Sequence, residues 1–123
     1  MTRAQVTFPD GYSFQVEVAT TQEERSRGLS YRSECGNGML FVFEGPGWHP
    51  MWMYRMRFPI DIVWLDSHGR IVELYEAAQP WPEGANDGRA MGQPGVQSSY
   101  VLELVVGSVA AHGLTGGSIV VIR

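Results

Sequence analysis

Two carboxylates fall inside apolar runs: Asp61 in "FPIDIVWLD" and Glu103 in "YVLELVV". An ionised carboxylate among apolar neighbours costs roughly several kcal/mol unless it is paired or hydrogen-bonded. Each is therefore either satisfied structurally or kept for chemistry. The chemical reading places Asp61 and Glu103 in one cleft, one neutral and one charged, which is how general acid and general base roles separate. The structural reading gives Asp61 a guanidinium partner, whose two parallel donors offset much of the desolvation. Arg25, Arg32, Arg55 and Arg57 are the candidates, and this second reading is the expectation, because ion-pair networks also perturb ionisable groups.

The next group is "WHPMWMYRM", where His49, Met51, Met53 and Met56 offer an imidazole and thioethers of the softness that copper(I) accepts. Thioethers also fill gaps in cores, and that is the expected role here. His49, His68 and His112 are too far apart for zinc-ligand spacing, so no metal and no cofactor is expected. Cys35 sits in a Gly-flanked turn with no neighbour that would lower its pKa, and no Gly-x-Ser-x-Gly elbow exists. "GANDG" and "GLTGGS" lack the Lys and the strand-to-helix setting of a phosphate loop. Aromatic residues make a stronger case, for binding. Trp48 and Trp81 fall in Gly/Pro loops where core positions are least expected, and such rings can stack on sugars or peptides.

The elements that must position these groups read mostly as strands. "VTFPDGYSFQVEVA" has two alternating runs around Asp10-Gly11, a hairpin. Thr21 and Glu24 have capping-box spacing, and Gly28 suits the exit of a two-turn helix. "MLFVFE", "MWMY", "IDIVWLD" and "RIVELYEA" continue as strands, with "GPGW" expected to break the first. Alternation places Ile60, Ile62 and Trp64 on one face of their strand and Asp61, Val63 and Leu65 on the other. Residues 79 to 97 form a Gly/Pro-dense loop, "SYVLELVV" returns to strand, Ser108 caps a helical turn, and "SIVVIR" ends the chain as strand. About eight strands and one or two short helices predict a mainly β fold, a compact antiparallel β-sandwich or barrel, in a single domain over residues 1–123.

Composition agrees. The chain of 123 residues is 44% hydrophobic and 18% charged, as in soluble globular proteins, and has no apolar run long enough to span a bilayer. A net charge of -4 leaves no basic surplus for a phosphate backbone, so nucleic acid is not the expected partner. The single cysteine forms no internal disulfide, and the N-terminal residues lack a signal-peptide pattern. The cytoplasm is the default expectation, with export if a leader has been removed.

"TTQEERSRGLSYR", "GMLFVF", "MWMYRMRFPIDIVWLDSHGRIV" and "YVLELVVGSVAAHGL" together resemble the family of domain of unknown function 192, over nearly the whole chain. The matching positions are Arg25, Gly28, Leu29, Arg32, Met39, Phe41, Trp52, Met53, Pro59, Asp61, Asp66, Gly69, Tyr100, Glu103 and Gly107. Many members have Lys-Asn-Thr where this chain has Tyr54-Arg55-Met56, and Gly-Asp where it has Gly116-Gly117, so roles of those polar side chains do not carry over. The resemblance implies a β-rich fold and no particular activity. The function expected from the residues is a non-catalytic binding module for a small ligand, sugar or peptide. Its pocket would be bordered by Trp48, Trp52, Arg55, Asp61, Trp81 and Arg89. The alternatives are a small acid-base enzyme using Asp61 and Glu103, or a module that binds a protein partner.

Overall fold

The computed structural model describes residues 2–81 and 96–123. Its strands are β1 (Thr2–Thr7), β2 (Ser13–Ala19), β3 (Met39–Gly47), β4 (Ile60–Leu65), β5 (Ile71–Ala78), β6 (Ser98–Val105) and β7 (Val121–Ile122). Two short helices are interspersed, α1 (Gln22–Arg27) and α2 (Ser108–Ala111). The strands form a sheet in the order β5-β4-β6-β3-β2-β1-β7, antiparallel except where β2 runs parallel to β3. The mainly β architecture is the expected one, but the parallel pair is not. α1 alone is too short for a crossover, and the irregular segment after it supplies the remaining length.

The sheet curls into a half-barrel whose two edges touch. Arg70 and Ile119 form an antiparallel bridge, flanked by hydrogen bonds from Ile71 N to Ser118 O (2.8 Å) and from Val120 N to Gly69 O (2.8 Å). Gly69 is required at this seam. Its φ is +82°, and a Cβ there would stand 2.2 Å from the Val120 carbonyl oxygen.

Alternation sorts the core onto two faces. The inner face collects Val6, Val16, Leu40, Val63, Ile71 and Leu102 from the first six strands, with Val109 of α2 packed among them. The outer face carries Met39, Phe41, Ile60, Ile62, Trp64 and Val101, covered by Leu29, Met53 and Met56 from the connecting segments. β4 is buried along its whole length because it serves both faces. The expected strand at "MWMY" does not form. Residues 52 to 58 turn instead, which turns Met53 and Met56 down onto the outer face. "GPGW" does not stop β3 at once either, since the strand continues to Gly47 through a register shift after Val42.

Local caps follow the sequence at α1. The Glu24 amide donates to Thr21 Oγ1 (3.1 Å) and the Thr21 amide to Glu24 Oε1 (3.2 Å), while Gly28 closes the helix. At α2 they do not. Gly107 occupies the N-cap, and Ser108 Oγ donates backwards to the Val105 carbonyl (2.6 Å) instead of capping. The free amides of α2 go to Asp61.

This is the main correction to the sequence reading. Asp61 is 1% exposed, and none of Arg25, Arg32, Arg55 or Arg57 reaches it. Its Oδ2 accepts from the amides of Gly107 (3.1 Å) and Val109 (2.9 Å), and its Oδ1 from the amide of Ala77 (2.9 Å). Two of those donors are the N-cap of α2, Gly107, and a residue of its first turn, Val109, where amides lack intrahelical partners. The third comes from a bulge in β5. Ile60 pairs with Ala78 but Ile62 pairs with Tyr75, so Glu76 and Ala77 together stand opposite Asp61. Ala77 takes a left-handed φ of +54°, an uncommon conformation for a residue with a Cβ.

Removing this acceptor strands three amides. Asp61→Ala is expected to lower unfolding free energy by about 3 kcal/mol or more, and Asp61→Asn by about 1–3 kcal/mol, since the Asn amide turns a donor toward one of the three. Urea denaturation measures both. Ala77→Gly, by relieving the left-handed strain, is expected to leave stability unchanged or raise it by up to about 1 kcal/mol.

Candidate functional site

Glu103 presents the opposite situation to Asp61. On β6 it pairs with Met39 of β3 and Ile62 of β4, so it lies in the centre of the sheet on the outer face. Asp61, whose pairing partner on β6 is Leu104, projects to the inner face. The two carboxylates are thus separated by the sheet itself, and the acid-base pair considered from the sequence is not assembled. Glu103 is 3% exposed and has neither a hydrogen bond nor an ion pair among the described residues. Burial raises its pKa from an ordinary value of 4.5 to about 8, so it holds its proton at neutral pH.

Above Glu103 the connecting segments leave a groove of about 290 Å³. One wall is α1, through Gln22, Arg25 and Ser26; the other is Pro50, Met51 and Trp52; Phe41 and Phe43 of β3 form the floor. A narrower crevice of about 20 Å³ shares Arg25, Ser26, Phe41, Met51 and Trp52 with the groove and reaches down to Met56 and Glu103.

The walls are held by specific bonds. Arg25 donates through Nη1 to the carbonyls of Thr20 (2.6 Å) and Val42 (2.9 Å), fixing α1 to β3, and its guanidinium lies over Phe43, 5.2 Å from the ring centre. His49 stacks on Phe43 with centroids 3.6 Å apart, and its carbonyl accepts from the indole of buried Trp64 (2.6 Å). This anchors the start of the Pro50–Trp52 wall to the sheet. Further along, Ser30 Oγ donates to the Tyr54 carbonyl (3.0 Å) and the Tyr31 amide to the Arg55 carbonyl (2.9 Å). Tyr31 and Arg55 both adopt left-handed φ values, +67° and +58°. Strained backbone of this kind persists only where the surroundings over-determine it.

Of the residues expected at a pocket, Trp52 lines the groove and is 43% exposed, and Trp81 meets it edge-on at 6.4 Å. Trp48 is 58% exposed and lies outside the groove lining. Arg55 is exposed over the rings of Tyr54 (4.8 Å) and Tyr31 (5.3 Å), while Asp61 lies on the far side of the sheet. Arg89 lies outside the described residues. Arg32 pairs with Glu17. His49, Met51 and Met53 do not converge on a common point. The imidazole stacks on Phe43, Met51 lines the groove, and Met53 is buried in the core, and among the described residues no cluster of three His, Cys, Asp or Glu side chains exists that could hold a metal ion. The Cys35 thiol is pushed up to about 11, chiefly by burial, so it keeps its proton at neutral pH.

Sequence reasoning missed Phe41, Phe43 and Arg25 as groove residues. The period of two in "MLFVFE" already places Phe41 and Phe43 on one face. What lay beyond the sequence is that β3 and β6 pair with Glu103 opposite Met39, which brings that face alongside the carboxyl.

A carboxyl raised by burial links stability to pH in a definite sense. In the unfolded chain Glu103 ionises near 4.5, whereas in the folded protein it does so near 8. The unfolded state therefore sheds its proton first, and stability falls as pH rises from about 4.5 to about 8, then levels. Glu103→Leu removes this dependence. Urea titrations of both proteins are expected to show similar stability near pH 4.5 and a Glu103→Leu advantage on the order of several kcal/mol at pH 8.

Comparison with known proteins finds relatives that match over most of this chain. A UPF0127 protein from Thermococcus gammatolerans is 29% identical over 107 residues, 85% of this chain but only 64% of that protein's length. Two crystal structures share the fold at a TM-score of 0.80. One, from Sinorhizobium meliloti 1021, is described as a "putative transcription regulator" and is 28% identical, with 98% of this chain and 92% of that chain covered. The other, a protein of unknown function from Novosphingobium aromaticivorans, is 29% identical, with 97% and 83% covered. The DUF192 family model, Uncharacterized ACR, matches residues 5–122, and the chain belongs to that family.

Proposed function

We propose that the protein is a non-catalytic binding module that takes the apolar or aromatic part of a small ligand or peptide into the groove between α1 and the Pro50–Trp52 wall. The observation that carries this reading is the lining itself. Phe41, Phe43, Met51 and Trp52 put aromatic and thioether surface into a concavity of about 290 Å³, close to the lower end of the usual size for small-molecule sites. The groove is also pre-formed. Arg25, Trp64 and Ser30 tie its walls to the sheet and to one another, so little ordering cost falls on binding.

Catalysis is the weaker reading because the candidate acid and base lie on opposite faces. Asp61 has its oxygens engaged by backbone amides, and Glu103 makes no hydrogen bond or ion pair among the described residues.

Thermal-shift screening against sugars, short peptides and aromatic small molecules tests the proposal. A ligand that raises the melting temperature of the wild type is expected to bind Trp52→Ala at least about tenfold more weakly, by loss of ring contact, and to bind Trp48→Ala unchanged. A panel without any stabilising compound, or a hit indifferent to Trp52→Ala, contradicts this reading.

A further inference from the structure

Buried polar side chains without a partner are uncommon, because the group forfeits its water and gains nothing in return. Among the described residues Glu103 is such a group, with no hydrogen bond or ion pair, and its position relates it to the groove. It is reached through the crevice that shares five lining residues with the groove above. At about 20 Å³ the crevice is far narrower than the groove above it, and suits a small end group.

We propose that Glu103 is the polar reader of the groove, and that the ligand is an aromatic or compact apolar body ending in a single hydroxyl that enters the crevice and hydrogen-bonds to the Glu103 carboxyl. The inference rests on the binding reading given above and names the ligand class for it. Three observations select a hydroxyl. The crevice is narrow, which favours a compact end group over a phosphate or a sugar ring. The cationic residues Arg25 and Arg27 are among its lining, which disfavours an ammonium end group. A carboxyl that keeps its proton presents one donor and one acceptor, and a hydroxyl offers the same two functions on one atom. The apolar part of the ligand would then lie between Phe41, Met51 and Trp52, continuing the lining above the crevice.

The matched probes para-cresol and toluene, which differ by one hydroxyl, isolate this contact. Binding is followed by heteronuclear NMR on the intact chain, with shifts read at Trp52 and its neighbours. Wild type is expected to bind para-cresol about tenfold or more tightly than toluene, because toluene leaves the carboxyl unpaired. Glu103→Gln, which keeps a donor and an acceptor, is expected to retain the preference. Glu103→Leu is expected to lose or reverse it while still binding toluene. Equal binding of the two probes by wild type overturns the proposal without needing any variant, and leaves the groove reading standing. A preference that survives in Glu103→Leu overturns it likewise. Shifts at the groove from neither probe contradict the groove reading and this inference together.

Discussion

The fold depends on one carboxylate surrounded by backbone. Asp61 stands near the start of β4, inside the half-barrel, and accepts hydrogen bonds from β5 on one side and from the first turn of α2 on the other. A four-residue helix has little stability of its own, because nucleation is costly and few intrahelical bonds repay it. Asp61 supplies what the helix lacks, an anionic acceptor for its free amides. α2 then delivers Val109 to the inner core, and Leu114 follows from the residues after it. The same carboxylate fixes the bulge that re-aims β5. Through one side chain, β4, the β5 bulge and α2 share a single hydrogen-bond centre.

The two buried acids lie on opposite faces of the sheet, one beneath the enclosed core and one beneath the groove. Asp61 is fully engaged by the chain's own amides, on the side where the sheet encloses its core. Glu103 lies one position along the pairing ladder, on the side covered only by short segments and a groove. The period-two geometry of a strand is enough to separate them, since adjacent positions on a pleated sheet point to opposite faces. Acids that looked equivalent in the sequence therefore meet opposite environments. One stabilises the fold, and the other costs stability as it ionises.

Much of the scaffold was legible in the sequence, and particular residues show why. The hairpin at Asp10-Gly11, the Thr21–Glu24 capping box and the alternation along β4 are local patterns, and all three form as read. Errors came where a distant segment decided the outcome. Asp61 was assigned an arginine because the sequence advertises charges, whereas backbone amides, which every residue but proline carries, are invisible to a reading of side-chain types. The amides that answer it are 16, 46 and 48 residues away in the chain. "MWMY" has strand composition, yet its methionines are needed under the turn that covers the outer face. The groove was only partly foreseen. Trp52 was named for its type, but Phe41, Phe43 and Arg25 acquire their role from the parallel β2–β3 crossover that lays α1 beside β3.

Amide hydrogen exchange tests the central interaction most directly. Ala77 and Gly107 are solvent-exposed residues, so by location alone their amides should exchange within seconds to minutes at neutral pH. The account predicts that the amides of Ala77, Gly107 and Val109 are protected together, at a level approaching the slowest-exchanging core strands. Exchange of the Ala77 and Gly107 amides as fast as in an unstructured loop would contradict it, and would mean that Asp61 is held by something other than the backbone of β5 and α2.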